Sequence, residues 1–436
     1  MSHARLTRRS LLKKSLLLGA GAAAGLAGSL SGQTPATPPS SPSTPPLPPP
    51  SYHLQSGLYE TLFLTWAGDP CTTMRVQWLE TVTDAPAPVV IAARSELDGT
   101  RHEARTRCHP FGRRRDVWVQ RVDFTGLRPD TSYVLDLPGR REAAPRFLTA
   151  PAKLERPLTF IEGGDINVVP EALLMHAVAL REDPLFAVVG GDLAYSDGKD
   201  ANINGEIRFY CDWGAGMVTP DRRLIPLIPA IGNHEVTGYY GKTRAEAPYF
   251  FSLFDTWAHP EIGAYRALDF GDYLSLLLLD TDHTCPVAAQ NAWLGEALAA
   301  RAQVPHVFPV YHVPAYPSVR RYDDRINLEV RRHWVPLFEA SPQVRVAFEH
   351  HDHAFKRTHP LRAGAPDATD GVTYLGDGSW GLARRPLRQT DTEVFLHREE
   401  KFHVWRVTLT PGEQRFLALD ERGKHLDAWS RPLARA

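Results

Sequence analysis

The hydrophobic pattern of the chain changes near residue 152. Before that point, short segments alternate apolar and polar side chains, which is typical of strands that bury one face. The clearest of these segments are 74–78 (MRVQW), 88–94 (PVVIAAR) and 116–124 (DVWVQRVDF). After residue 152 the apolar runs are continuous and helical segments separate them, which indicates strands buried on both faces. The pattern therefore predicts a small all-β sandwich domain over 52–151 and an α/β domain over 152–436.

A tyrosine beside a predicted turn is the most specific feature of the all-β domain. Tyr133 follows Leu127, Pro129 and Thr131, and this arrangement resembles the tyrosine corner of immunoglobulin-like sandwiches. The region as a whole resembles a fibronectin type III domain. It contains no cluster of titratable side chains, so we expect it to support the second domain. A role in binding a partner or a surface stays open.

Six apolar strands are predicted in the second domain, and five of them run directly into a polar side chain. The strands are 158–162 (LTFIE), 185–191 (LFAVVGG), 224–232 (LIPLIPAIG), 273–282 (YLSLLLLDTD), 306–312 (HVFPVYH) and 344–351 (VRVAFEHH). Helices are predicted over 170–183 and 289–303, and the segments 402–410 and 413–430 predict a closing β-hairpin. Because ligands bind at the carboxyl ends of strands in open α/β sheets, the five polar endings predict one shared site.

Five short blocks carry these endings, in the order GDIN (164–167), GDLAY (191–195), GNHE (232–235), VYH (310–312) and HHDH (350–353). Together they resemble the calcineurin-like metallophosphoesterases, and within them most closely the purple acid phosphatases. The resemblance covers about residues 155–436. It implies an α/β (α+β) sandwich in which helices flank two mixed β-sheets, and the small all-β domain precedes this sandwich in the chain.

The resemblance also implies two metal ions that share one carboxylate. The first ion would be bound by Asp165, Asp192, Tyr195 and His353, and the second by Asp192, Asn233, His312 and His351. Carboxylate and phenolate oxygens suit Fe³⁺, whereas imidazoles with an amide suit Zn²⁺, Fe²⁺ or Mn²⁺. His234 follows the ligand Asn233, and it would contact the phosphate or protonate the leaving oxygen.

Four residues at three places in the chain depart from the purple acid phosphatase pattern. Asn167 stands where those enzymes have glycine, and it either adds an amide oxygen or lines the site. His350 precedes the last ligand pair, and we expect it to stay off the metals. Arg320 and Arg321 stand where relatives carry substrate-binding histidines. They form either a phosphate-binding fork or a solvated basic loop.

Other polar residues near the blocks have weaker support from the sequence. The side chains that follow site motifs and could line a cleft are Asp197, Asp212, Tyr239 and Tyr240. The segment 374–381 (YLGDGSWG) lies where relatives close the site with a glycine-rich loop, and we expect its role to be mainly structural.

The activity implied by the resemblance is hydrolysis of phosphate monoesters by a metal-bound hydroxide. A phosphodiesterase with the same metals, acting on nucleotides or phospholipid head groups, is one alternative. A surface-binding module on an inactive phosphatase fold is another, although all seven ligand positions hold competent residues. A net charge of −1 provides no basic footprint for nucleic acid, and the sequence does not predict an oligomeric state.

The N-terminal residues predict export. Arg8 and Arg9 lie in a basic start that precedes an apolar run over 16–30, so residues 1–32 resemble a twin-arginine signal peptide. The apolar run is short for a membrane span. Residues 33–51 are rich in proline and predict an extended linker. We therefore expect a periplasmic or extracellular protein, in which the four cysteines could form one disulfide in each domain.

Overall fold

The computed structural model describes residue 54 and the ranges 59–140, 143–259 and 261–433. All of these residues belong to one compact unit over 49–436. Among them, no helix has the length and apolar character that crossing a membrane requires. The predicted signal peptide (1–32) and the proline-rich linker (33–51) lie outside the described residues, so both stay predictions.

The first eight strands form two antiparallel sheets of four strands each. Their bounds are β1 Phe63–Thr65, β2 Met74–Glu80, β3 Val90–Ser95, β4 Arg101–Arg105, β5 Arg107–Pro110, β6 Trp118–Phe124, β7 Ser132–Asp136 and β8 Arg146–Leu148. One sheet has the order β1-β2-β6-β5 and the other the order β4-β3-β7-β8. The alternating segments of the sequence correspond to β2, β3 and β6, and the predicted all-β region is present.

Tyr133 makes the hydrogen bond expected of a tyrosine corner. Its hydroxyl accepts the backbone N–H of Arg128 at 2.8 Å, and its fully buried ring stacks on Phe147 with a centroid distance of 5.2 Å. A buried tyrosine that satisfies its polar end in this way closes the turn before β7. The narrower resemblance to fibronectin type III stays a prediction.

Two mixed sheets form the second part of the molecule. The first contains β9 Leu158–Gly163, β10 Ala187–Val189, β11 Leu227–Pro229, β21 Val404–Thr410, β22 Glu413–Leu419 and β23 His425–Pro432. Its order is β11-β10-β9-β21-β22-β23, with β9, β10 and β11 parallel and the last three strands antiparallel. The predicted closing hairpin is thus part of a three-stranded meander that pairs with β9.

The second mixed sheet has seven strands. They are β12 Arg266–Phe270, β13 Leu274–Leu278, β14 His306–Val310, β15 Val346–Glu349, β16 Phe355–Thr358, β19 Thr373–Gly376 and β20 Phe395–Glu399. The order is β12-β13-β14-β15-β19-β16-β20, and the four strands β13, β14, β15 and β19 are parallel. A separate small ribbon pairs β17 Leu361–Arg362 with β18 Ala365–Pro366.

Helices follow the parallel strands where the sequence predicts them. The helices are α1 Pro170–Arg181, α2 Ile203–Gly216, α3 Pro248–Leu253, α4 Asn291–Ala300, α5 Arg325–His333 and α6 Val335–Glu339. Proline at the first position of α1 suits a helix start, because its missing N–H would have no partner there. The predicted helices 170–183 and 289–303 correspond to α1 and α4, so the predicted α/β architecture with two mixed sheets is confirmed.

The four cysteines are free thiols. Cys71 donates its S–H to the carbonyl of Pro151 at 3.3 Å, and Cys285 is also buried. The disulfide that the sequence allowed in each domain is therefore absent from the structure.

Candidate metal centre

The two mixed sheets bring their carboxyl ends to one place. Asp165 and Asp192 follow β9 and β10 of the first sheet, and His312 follows β14 of the second. Atoms from different sheets meet directly, since Nε2 of His312 lies 3.2 Å from Oδ2 of Asp192 and Nε2 of His353 lies 2.9 Å from Oδ1 of Asp165. The shared site predicted from the strand endings therefore forms between the sheets.

The backbone at the site is strained. Positive φ angles, rare in residues other than glycine, occur at Asp165 (58°), Asp192 (57°), Tyr195 (56°), His351 (79°) and His353 (58°). Each such residue costs about 1–3 kcal/mol and persists only where the surrounding structure holds it. Five such residues lie at the strand ends. Backbone strain of this kind is typical of functional sites, where it fixes the directions of side chains at the expense of stability.

One cluster joins Asp192, Asn233, His312 and His351. Nε2 of His312 lies 3.0 Å from Oδ1 of Asn233 and 3.0 Å from Nδ1 of His351. One ligand atom each from Asp192, His312 and His351 falls within 4.8 Å of the others, and all three residues are buried. This is the set that the resemblance to purple acid phosphatases implies for the second metal.

The hydrogen bonds of this cluster leave a place for a cation. Nδ1 of His312 donates to the carbonyl of Gly190 at 2.9 Å, so Nε2 is the nitrogen that can lose its proton and offer a lone pair to a metal ion. Oδ2 of Asp192 is buried and has no hydrogen-bond partner in the described part of the chain. Burial lowers the pKa of His312, but the carboxylates of Asp192 and Asp165 raise it to a net value of about 9. Converging acceptors and an orphaned carboxylate oxygen fit a metal ion.

Asp165, Tyr195 and His353 form the adjoining cluster. The Tyr195 hydroxyl donates to Oδ1 of Asp165 at 2.9 Å and lies 3.3 Å from Nε2 of His353. Burial, followed by the charges of Asp165 and Asp192, raises the pKa of Tyr195 well above its ordinary value. The phenol therefore stays protonated unless a cation displaces its proton, which is the chemistry expected of a hard metal ion.

His234 lies beside the two clusters and is held by a carboxylate. Its Nδ1 lies 2.6 Å from Oδ1 of Asp197, and its Nε2 lies 4.0 Å from Oδ2 of Asp192. A second oxygen of Asp197 binds Lys199 at 2.9 Å. The ring is partly exposed and lies 4.2 Å from that of Tyr195 between centroids. Asp197 therefore orients an imidazole whose free nitrogen faces the site.

His350 stays off the candidate metals, as expected from the sequence, and the structure shows why. Its Nε2 lies 2.5 Å from Oε1 of Glu162 and its Nδ1 lies 2.8 Å from the carbonyl of Tyr311. Both partners accept, so both ring nitrogens donate and neither is left for a metal. Burial lowers the pKa of His350, yet Glu162 raises it overall. A side chain at Gly190 would overlap the ring, since its Cβ would lie 1.9 Å from Nδ1.

Sequence reasoning missed the roles of Glu162 and Glu235. Oε2 of Glu235 accepts the N–H groups of Asp192 at 2.8 Å and Gly232 at 2.7 Å, and its other oxygen accepts Leu193 at 2.7 Å. The GNHE block itself was a signal for Glu235, because an acidic residue directly after the candidate ligands is a natural support for them. No local pattern marked Glu162, which lies inside an apolar strand.

Of three other residues that the sequence suggested as lining a cleft, two lie at the site and one lies outside it. Tyr240 contacts the site, because its hydroxyl lies 3.1 Å from Nε2 of His351. Tyr239 is partly exposed beside His234, with 5.4 Å between ring centroids. Asp212 lies on α2 in an ion pair with Arg208.

The three predicted substrate contacts already have partners inside the protein. Oδ1 of Asn167 accepts the next backbone N–H at 2.7 Å. Arg320 donates to Oδ1 of the buried Asp352 at 2.9 Å. Arg321 is 76% exposed and pairs with Asp323 at 2.8 Å. Their roles in binding substrate stay predictions, and each would require these contacts to open or to be shared.

Comparison with known proteins supports the fold. No family model and no curated protein matches the sequence of this chain. The purple acid phosphatase PPD1 from seeds of yellow lupin (Lupinus luteus) has a similar structure, with a TM-score of 0.66, 15% identity, and coverage of 85% of this chain and 73% of that one. PhoD is similar with a TM-score of 0.63, 12% identity, and coverage of 87% and 94%. The calcineurin-like phosphoesterase fold implied by the five blocks is confirmed.

Proposed function

We propose that this protein is an exported dinuclear-metal phosphatase that hydrolyses phosphate monoesters. The observation that carries the proposal is the pair of adjoining buried clusters at the strand ends, in which side chains able to bind metal lie within about 3 Å of one another. Oδ2 of Asp192 lies 3.2 Å from Nε2 of His312 and has no hydrogen-bond partner among the residues that the structure describes. A purple acid phosphatase is among the proteins that share the fold, which supports the same conclusion.

The residues divide into two ligand sets. Asp165, Tyr195 and His353 would hold one ion with Asp192, and Asn233, His312 and His351 would hold the other with the same Asp192. Oxygen-rich ligands favour Fe³⁺ in the first set, and imidazoles favour Zn²⁺, Fe²⁺ or Mn²⁺ in the second. When bound, such a pair lowers the pKa of water and neutralises charge on the phosphoryl oxygens.

His234 supplies the proton for the leaving group in this proposal. Because Asp197 accepts from Nδ1, the opposite nitrogen Nε2 is the atom that faces the ligands and the substrate. A phosphate ester that enters the site places its leaving oxygen next to Nε2, which donates a proton as the P–O bond breaks. Asp197 keeps the ring in that orientation.

The function is tested with nitrophenyl phosphate and bis(nitrophenyl) phosphate on one metal-loaded preparation. We expect faster cleavage of the monoester, and a loss of about 10²–10⁴-fold in kcat when His234 is replaced by alanine, as for removal of a general acid. Faster cleavage of the diester would make the protein a phosphodiesterase. Cleavage of neither ester, with His234→Ala behaving like the wild type, would favour a binding module.

Metal identity has its own test. If Fe³⁺ binds the Tyr195 phenolate, the purified protein absorbs visible light through charge transfer, and Tyr195→Phe abolishes the band while iron content is measured in parallel. An active, colourless protein that contains no iron would contradict the ferric assignment.

Export is proposed from the sequence alone. Replacing Arg8 and Arg9 with lysine should keep the protein in the cytoplasm, because a twin-arginine signal depends on that pair. Unchanged fractionation would show that another signal directs the chain.

A further inference from the structure

The segment 381–388, which we call the closing loop, is attached to two of the candidate ligands. The two backbone N–H groups at its start both donate to the carbonyl of Asp165 at 3.1 Å. In its middle, the N–H of Arg385 donates to the carbonyl of His353 at 3.2 Å. These bonds use backbone atoms, so they hold the loop against the first ligand cluster whatever its side chains are.

The far end of the closing loop is attached to the opposite side of the site. The N–H of Arg388 donates to the carbonyl of Ser318 at 2.9 Å, and its guanidinium donates to the carbonyls of Arg320 and Pro317 at 3.0 Å. The loop therefore runs from Asp165 to the segment that follows His312, with Arg385 between its two attachments.

Arg385 differs from the arginines around it in the contacts of its guanidinium. Among the described residues, its half-buried guanidinium makes no hydrogen bond and no ion pair. By contrast, Arg320 binds Asp352, Arg388 binds backbone carbonyls, and Arg384 is exposed over the ring of Phe402 at 4.8 Å. A half-buried, unpaired cation is costly unless something else supplies the opposite charge.

The electrostatics of Arg385 relate it to the candidate metal centre. Burial lowers the pKa of its guanidinium and the charge of Arg320 lowers it further, whereas Asp165 and Tyr195 act in the opposite direction. The backbone N–H of Arg385 donates to the carbonyl of His353 at 3.2 Å, so the residue lies directly beside the first ligand cluster. Metal ions bound there would offset the charge of these ligands, and an anion would then be the natural partner of Arg385.

We propose that Arg385 binds the phosphoryl group of the substrate and selects monoesters over diesters. The proposal rests on the phosphatase function above and adds a specificity-determining residue to it. A phosphate monoester carries about two negative charges at pH 7 and three terminal oxygens, as a phosphorylated side chain does. A diester has one charge and two terminal oxygens, so it offers less to a guanidinium fork.

The test compares Arg385→Ala and Arg385→Lys with Arg384→Ala as the neighbouring control. Each metal-loaded variant is assayed with nitrophenyl phosphate and bis(nitrophenyl) phosphate, and its dissociation constant for inorganic phosphate is measured by calorimetry. We expect Arg385→Ala to weaken phosphate binding and to raise KM for the monoester about 10- to 100-fold, the range for a hydrogen bond to a charged group. Diester cleavage should fall less, and Arg385→Lys should recover part of the loss. For Arg384→Ala, KM and the dissociation constant for phosphate should stay within about twofold of the wild type, as expected of a surface change.

The outcomes separate this inference from the proposed function. If the wild type cleaves esters but Arg385→Ala and Arg384→Ala bind phosphate equally well, Arg385 is no substrate contact and the phosphatase remains. If the wild type cleaves no ester but Arg385→Ala weakens its binding of phosphate, the proposed phosphatase function is wrong and the phosphate contact of Arg385 is supported. A wild type that neither cleaves nor binds overturns both. Equal losses for monoester and diester overturn the selectivity.

Discussion

The β-sandwich region and the candidate metal centre differ in how completely hydrogen bonds satisfy their buried charged side chains. Arg75 and Arg121 on the first sheet are only 5% exposed, and both bind Asp255 in the second part of the molecule. Arg121 also donates to the carbonyls of Ser252 and Leu253. At the metal centre, by contrast, Oδ2 of Asp192 is buried without a hydrogen-bond partner in the described part of the chain.

The backbone follows the same division. Among the described residues up to 151, the non-glycine residues with positive φ are Tyr59 and Asp130, whereas the metal centre has five among its candidate ligands. Strain and unsatisfied atoms therefore occur together at the metal centre. In the sandwich region, buried arginines bind Asp255 and so join the two parts of the protein. At the metal centre, the buried carboxylate oxygen of Asp192 is available to a metal ion.

The largest expected effect comes from removing the shared carboxylate. Asp192→Asn keeps the side-chain shape but removes the charge that both ligand clusters use, so kcat/KM should fall at least about 10³-fold, as for other central catalytic groups. Metal content, measured by mass spectrometry, should fall below two ions per chain. Asp212→Asn on α2 is the control, since Asp212 pairs with Arg208 outside the clusters. Equal activity of the two variants would show that the carboxylate of Asp192 is no more important to the reaction than one outside the clusters.

The next effect tests the sandwich side of the comparison. Arg121→Met should lower the free energy of unfolding by about 2–3 kcal/mol. The substitution removes the donor to the carbonyls of Ser252 and Leu253 and to Oδ2 of Asp255. Arg107→Met is the matched control: Arg107 lies opposite Arg121 in the sheet, but it is 72% exposed. Arg107→Met should lower the free energy of unfolding by less than about 0.5 kcal/mol.

Denaturant unfolding measures both variants, and the kcat of the folded enzyme should stay unchanged in each. A loss of activity in Arg121→Met that exceeds its loss of folded protein would mean that the sandwich region also shapes the site.

A buried histidine outside both regions extends the comparison to pH. His176 on α1 is buried between Trp213 and Trp380, and neither ring nitrogen has a partner in the described part of the chain. Burial lowers its pKa to about 3. The unfolded chain gains a proton near pH 6.5 and the folded chain does not, so this histidine destabilises the fold progressively as pH falls from about 6.5 towards 3.

His176→Leu should remove that penalty. Relative to the wild type, its free energy of unfolding should rise by about 2 kcal/mol between pH 7.5 and pH 5, as measured by denaturant titration at the two values. Parallel stabilities of the two proteins across this range would show that His176 does not contribute to acid sensitivity.

The smallest effect concerns the exposed arginine of the predicted fork. Arg321 is paired with Asp323 on the surface, so Arg321→Ala should change KM for nitrophenyl phosphate by less than about twofold. A tenfold increase would restore the predicted fork and would place phosphate near the 320–322 loop.

The local pattern was enough to predict much of this protein. Continuous apolar runs predicted β9, β10, β14 and β15, and the polar residues that follow these strands are the ones that meet in space. Within each sheet the prediction succeeds because parallel strands end at one edge, so the polar residues that follow them lie together. The packing of the two sheets then brings both edges to one place. Motif order then implied the fold that the comparisons confirmed.

What only the tertiary structure decided involves partners far apart in the chain. His350 and Glu162 are 188 residues apart, and their contact explains why one histidine of the HHDH block stays off the candidate metals. The sequence does not distinguish the arginines, because each carries one positive charge. In the structure, Arg320 pairs with Asp352 and Arg321 pairs with Asp323, whereas Arg385 forms no ion pair among the residues that the structure describes. Strand endings follow from local hydrophobicity, whereas which charge remains unpaired depends on every element packed around it.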